Sequence, residues 1–434
     1  MSTRLRLHAA SAALFGVTLA LRPGVARAAA GDPLTPELRV NRIDASSDSL
    51  DTADVARSAA GLTVVVWTAI GDSVDPPRPA GIRARLFAAD GRPIGNEITV
   101  SKARINNYSK PVVAMNAGGS FAVAWRTEDQ SEAAIVMRLY GPDGTPRSAI
   151  TRVSTAATSQ VTERSDIAMD DGGRVTVAFQ PPSFADIRIR QFDAAGVALS
   201  DRESVVSDGD GDFVDAPVLA AQPAGDFVLG WHRVVRLPAI PVPFAGPYPI
   251  FISPQREEIR FRRFAANGLP KAASTVVDQA FSADPFLAGG IAGSRIGEPG
   301  IGVDADGDVV VAWPASTVVA LDTIRARRYD GAGRPVGSII TAGPLTSRTA
   351  AHVAVSSSRA GDVAVSWKND GQVLARRYRA DGRAAGPAFV VNPVFASGRG
   401  DPSRTAVAHD AAGNFGIVWT GANLDVLLRL YEGP

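Results

Sequence analysis

The chain has 434 residues, with 45 basic and 44 acidic side chains, 42 glycines, 30 prolines and no cysteine. Without cysteine there is no disulfide, no thiol nucleophile and no thiolate metal site. The near balance of charge argues against nucleic acid or an anionic lipid surface as the main partner.

Residues 1–30 read as a secretory signal peptide. Arg4 and Arg6 precede the apolar run Ala9–Leu21, and Ala26-Arg27-Ala28 and Ala28-Ala29-Ala30 are small-residue cleavage signals. No Arg-Arg pair precedes that run, which favours the general export route over the twin-arginine one. Removing it leaves 41 basic against 44 acidic residues. No later stretch is apolar for the roughly eighteen residues that a membrane helix needs. The expectation is an exported protein, periplasmic or extracellular, with residues 31–434 forming one domain held by packing alone.

A short strand comes first, Glu37-Leu38-Arg39-Val40-Asn41, and seven copies of one unit follow. Each copy centres on a large aromatic: Trp67, Trp125, Phe179, Trp231, Trp313, Trp367 and Trp419. Six residues before each lies a glycine: Gly61, Gly119, Gly173, Gly225, Gly307, Gly361 and Gly413. That spacing predicts a tight hairpin turn with positive φ, then a strand with one apolar face, as in Phe121–Trp125. Downstream stands an arginine (85, 138, 190, 262, 327, 376, 429) with Phe or Tyr two residues later. A second glycine follows six residues after the first six of these arginines. In the second copy the predicted strands are 111–115, 121–125, 135–140 and 150–153.

Four short antiparallel strands in roughly 50 residues, repeated, are the pattern of a propeller blade. The fold expected is an all-β, seven-bladed β-propeller. The last copy stops after its third strand, at Tyr431, and strand 37–41 resembles the fourth strands of other copies. It is therefore expected to complete blade 7 and close the ring. The repeated arginine, sharing a strand face with a core aromatic, reads as scaffold: it satisfies carbonyls or stacks on the Trp column.

Departures from the repeat are the places to look for a ligand site. In blade 4 the second-to-third-strand loop is long, an insertion at 236–255 that is rich in proline and carries Phe244, Tyr248 and Phe251. His232, just after Trp231, leads into it. These four are the candidate ligand-binding residues, on the face shared by such loops and the blade-to-blade linkers. A cap over the tunnel mouth, neutral loop drift and a dimer contact are the alternatives for the insertion; the chain is expected to be a monomer. The linker into blade 4 carries Asp208, Asp210, Asp212 and Asp215. Alternate carboxylates can hold Ca²⁺, although Phe213 stands where a calcium loop wants glycine, and a solvated acidic turn is the competing reading. Asp304, Asp306 and Asp308 occupy a hairpin turn and read as turn formers.

The pattern Pro-x-Val-Ala-Met-Asx-x-x-Gly-x-Phe-x-Val-x-Trp, then Ile-x-x-Arg-x-Phe/Tyr, then a strand ending Val-Asn, is carried by Pro111–Trp125, Gly302–Tyr329 and Val391-Asn392. Over about residues 37–434 it resembles repeats common in large exported bacterial proteins. The resemblance implies a propeller in an extracytoplasmic setting and no particular activity. No metalloprotease, nucleophile-elbow or phosphate-loop motif occurs. The functional expectation is a non-enzymatic binding or scaffold propeller contacting a glycan or another envelope protein. The alternative is a carbohydrate-active or other hydrolase or lyase using the same face.

Overall fold

The computed structural model describes residues 32–41, 53–69, 81–102, 109–129, 132–155, 164–181, 183–207, 213–242, 250–282, 295–316, 322–345, 352–369, 371–392, 404–421 and 425–433. Residues 1–30, the expected signal peptide, lie outside them. Among the described residues there is no helix, and none is long and apolar enough to cross a membrane.

The chain folds as a seven-bladed β-propeller of four-stranded antiparallel blades. Blade 1 is built from Ala53–Arg57, Thr63–Ala69, Gly81–Phe87 and Pro93–Ser101. Blade 2 follows with Val112–Met115, Phe121–Asp129, Glu132–Tyr140 and Thr151–Arg152. In blade 4 the second and third strands, Phe227–Arg236 and Gln255–Phe264, are ten residues each, and a small hairpin, Ile240–Val242 with Ile250–Ile252, extends from them. This hairpin is formed by the described residues of the 236–255 insertion.

The glycine columns have the conformation their spacing predicts. The first runs from φ +84° at Gly173 to +99° at Gly225, a region closed to most side chains. Each turn closes with the glycine N–H on the carbonyl three residues back, as Gly61 does on Ser58 at 3.0 Å. In every blade but the fourth, the side chain at the head of the turn caps it. Asp304 Oδ1 accepts from the N–H of Asp306 at 3.0 Å and of Asp308 at 2.9 Å, so Asp304 is a turn former.

The seven large aromatics are buried between blades. The arginine column is scaffold, with one correction to the stacking partner. Each guanidinium lies over the aromatic two residues on in its own strand, from 5.5 Å for Arg85 on Phe87 to 5.9 Å for Arg429 on Tyr431, and not over the Trp column. An i, i+2 pair shares a strand face, so the shorter reach wins. In blades 1, 3, 4, 6 and 7 the same group also donates across the blade interface. Arg85 reaches Val40 O at 2.6 Å, and Arg190, Arg262, Arg376 and Arg429 reach the carbonyls of Val153, Val206, Ala342 and Val391.

This explains the Val-Asn ending. Val391 is buried, donates its N–H to Val373 O at 2.8 Å and gives its carbonyl to Arg429, while Asn392 Oδ1 accepts from Val373 N at 2.7 Å. Val40 and Asn41 repeat the arrangement on Val426, at 2.8 and 2.9 Å.

The N-terminal segment completes blade 7. Leu38–Arg39 pairs antiparallel with Val426–Tyr431, placing Leu38 opposite Leu428. Thr35 Oγ1 and Leu34 N add bonds to Leu430. At the inner side of the same seam, Arg57 of blade 1 is buried against Asp410 of blade 7 at 2.9 Å.

Deleting residues 31–41 should therefore lower the melting temperature and drive association through the exposed edge of Val426–Tyr431. A monomer that melts like the parent in calorimetry and light scattering rules this closure out. Trp125→Ala should cost roughly 3–5 kcal/mol, the usual scale for aromatic truncation in a core, measured by denaturant unfolding.

Candidate functional site

The inner strands of the blades surround an axial cavity of about 210 Å³. Its open end lies on the face of the linkers and second-to-third-strand loops, where each inner strand begins. One position there recurs in every blade, fifteen residues before the core aromatic: Thr52, Lys110, Arg164, Ala216, Glu298, His352 and Arg404. Six of these line the cavity; Thr52 lies outside the described residues. Five blades thus aim a charged or titratable side chain at one axis, and no two neighbouring blades carry the same residue type.

The groups are coupled. Arg164 of blade 3 pairs with Glu298 of blade 5. Burial pushes the Glu298 carboxyl up, but Arg164 foremost, with Arg404, brings it below its ordinary value. Arg404 Nε donates to His352 Nε2 at 2.9 Å. Burial, then the Arg404 charge, pushes His352 down to about 3, so its ring is neutral. Its Nδ1 is enclosed without a hydrogen-bond partner.

Two residues further along the inner strand, blades 1 and 3 carry Asp54 and Asp166. Each carboxylate clips its blade to the next. Asp54 accepts from Val55 N at 2.9 Å and from Val113 N of blade 2 at 2.8 Å. Asp166 accepts from Ile167 N at 2.9 Å and Leu219 N of blade 4 at 2.6 Å. Burial raises Asp54 to about 6 and, with the Asp54 charge adding to it, Asp166 to about 7.

The opposite end of the axis is closely knit. Backbone bonds link successive turns: Ala411 N to Ala59 O, Ala59 N to Ala117 O, Asp171 N to Pro223 O and Ala305 N to Arg359 O, at 3.1–3.3 Å. Between blades 2 and 3 the acceptor is Asp171 Oδ1, taking Ala117 N. Pro223 has no N–H to pass on, and the Gln222 side chain donates to Ala305 O instead, at 3.0 Å. Arg359 of blade 6 then meets Asp171 of blade 3 at 2.5 and 2.6 Å. Those blades are opposite in the ring, so the ion pair lies across the axis and bars passage of a chain.

Of the residues singled out in the sequence, His232 and Asp215 meet: His232 Nδ1 and Asp215 Oδ1 are 3.0 Å apart, and His232 Nε2 is enclosed without a partner. They sit on a register break between Asp215 and Val218, where Ala216 has φ +52°. Neither lines the axial cavity. Phe251 lies in the hairpin strand Ile250–Ile252. Phe244, Tyr248, Asp208, Asp210 and Asp212 lie outside the described residues, among which no three His, Cys, Asp or Glu converge on a metal position. The axial set was missed because the reading followed columns that repeat. The signal was a column that keeps its place and changes its chemistry.

No protein-family model matches the chain. No curated protein matches it in sequence. Among solved structures it is similar to a protein of unknown function from Dyadobacter fermentans, at 11% identity, covering 94% of this chain and 100% of that one with a TM-score of 0.49. An ulvan lyase bound to -[GlcA(1-4)Rha3S]- is similar at 9% identity, covering 89% and 96%, TM-score 0.47. So is an α-L-arabinanase from Penicillium chrysogenum complexed with arabinobiose, at 11% identity, covering 75% and 93%, TM-score 0.44.

The buried groups set a pH signature. Asp54 and Asp166 hold protons in the folded chain up to about pH 6 and 7 but in the unfolded chain only to about 3.8, so their contribution to stability grows as pH falls from 7 to 4. His352 and His409, both pushed down to about 3 chiefly by burial, work the other way: the unfolded chain takes up their protons near 6.5, and stability falls below that. The two pairs oppose each other in the parent. The double variant Asp54→Asn, Asp166→Asn should lose melting temperature between pH 7 and 4 more steeply than the parent. Parallel pH profiles rule this assignment out.

Proposed function

We propose that this chain is a non-enzymatic binding propeller of the cell envelope, whose ligand, a glycan or another envelope protein, docks on the linker and loop face. One observation carries the reading: the axial cavity opens on that face through Lys110, Arg164 and Arg404, with the neutral His352 among them. A scaffold position would repeat its chemistry around the ring; this one does not. The blade-4 hairpin stands on the same face and supplies a second contact. Residues 1–30 supply export to the periplasm or beyond. A calcium ion on Asp208, Asp210, Asp212 and Asp215 would stiffen the linker into blade 4.

A hydrolase or lyase is the second reading, favoured by Asp166, whose value near 7 suits a general acid at neutral pH. Against it, both oxygens of Asp54 and of Asp166 already accept backbone N–H groups. His352 at about 3 is too weak a base and is not protonated to act as an acid.

The test is a screen of the purified protein against glycans and envelope extracts, with product analysis alongside. Saturable binding without turnover is expected; turnover replaces the binding reading with the enzymatic one. Exchanging residues 237–253 for a short Gly-Ser turn should weaken binding while the melt stays near the parent's, since loop length changes closure entropy slowly. Unchanged affinity removes the hairpin from the site. Chelation by EGTA should lower the melting temperature, and an unchanged melt removes the calcium.

A further inference from the structure

We infer that the mouth of the axial pocket is a carboxylate site that seats the terminal hexuronate of an acidic glycan, with Arg404 and His352 as its paired donors. This rests on the binding reading above and names the chemistry of the ligand. A guanidinium stays protonated in proteins, so in the Arg404–His352 contact Nε must donate and His352 Nε2 must accept. The neutral ring therefore carries its proton on Nδ1. That N–H is enclosed without an acceptor. The two terminal nitrogens of Arg404 likewise have no protein partner among the described residues. Buried donors are nearly always satisfied. Here the Arg404–His352 bond fixes one such buried donor, His352 Nδ1, beside a guanidinium that is only half-buried, at the wall of a cavity.

The shape and charge of the site select the acceptor. A guanidinium fork matches the two oxygens of a carboxylate. Lys110, Arg164 and Arg404 are offset by Glu298 and, deeper, by Asp54 and Asp166. Three cations meet three carboxyls, and with Asp166 raised to about 7 the surplus at neutral pH is below one positive charge, which suits a monoanion and not a phosphate dianion. No Phe, Tyr or Trp is among the described lining residues. A sugar ring has no stacking platform there, and charge must carry recognition. The inner strands are sheet edges, whose backbone N–H and C=O groups can meet hydroxyls. Since Arg359 and Asp171 bar the axis, the end of a chain enters and not its middle.

Calorimetric titration of the purified protein would compare an oligosaccharide ending in glucuronate with the same oligosaccharide ending in glucose. A sulfated counterpart and a peptide with a free C-terminal carboxylate complete the set. The glucuronate end should bind best, and Arg404→Gln should weaken it about tenfold or more, the scale of a charge-assisted hydrogen bond. Nitrogen NMR should show His352 as a neutral ring protonated on Nδ1, with that resonance moving on titration. His352→Phe is the second variant if Arg404→Gln does not melt like the parent, and it should also weaken the uronate. Equal binding of the neutral end, preference for the peptide or sulfate, or affinity untouched by both variants overturns the inference. If a neutral glycan or an envelope protein binds and no uronate does, the binding reading stands and this inference falls. If nothing binds on this face, both fall.

Discussion

A propeller blade cannot bury either face of its own sheet. Each four-stranded unit leaves one apolar layer for the blade before it and one for the blade after, so the structure is stable only as a closed ring. Closure falls on one short pairing, Leu38–Arg39 on Val426–Tyr431. Around it lie Arg85 on Val40 O, Asn41 on Val426 N and the buried Arg57–Asp410 pair. The outer two contacts are those that other blades make within continuous chain. The seam is a normal interface whose fourth strand arrives from the other end of the sequence.

Ring closure also gives the axis its polarity. Antiparallel blades place every glycine turn at one end and every linker entry at the other. At the turn end, identical local geometry brings backbone groups into a chain of hydrogen bonds, and Arg359 and Asp171 meet across the axis. At the linker end each inner strand begins with a residue that no turn constrains. There Lys110, Arg164, Glu298, His352 and Arg404 take different chemistries at equivalent places. Symmetry holds the frame, and the open mouth is where it is relaxed.

Blade 4 relaxes it in a second way. Its bulge between Asp215 and Val218, the positive φ of Ala216 and the bond from Asp215 to His232 form one local distortion. Beside it, Phe184, with φ +55°, stacks on Phe213 at 5.2 Å. A left-handed backbone costs on the order of 1 kcal/mol for a residue with a Cβ, so two of them at one blade junction are held by the packing around them.

The sequence alone determined the blade count, the strand order, both glycine turns and the N-terminal closure, because each depends on neighbours within a few residues or on a spacing repeated seven times. It also identified the arginines as scaffold, though their stacking partner was misjudged: the choice between Phe87 and a tryptophan for Arg85 turns on reach. Asp215 and His232 were separately legible as departures, but not as partners; a register break between adjacent strands joins them. The axial set was determined only by the tertiary structure. Arg164 and Glu298 are 134 positions apart, and Arg359 and Asp171 are 188. Nothing local links them. They meet because seven blades of equal curvature bring the same strand position to one axis, and the charges there become a site through the burial and mutual field that closure creates.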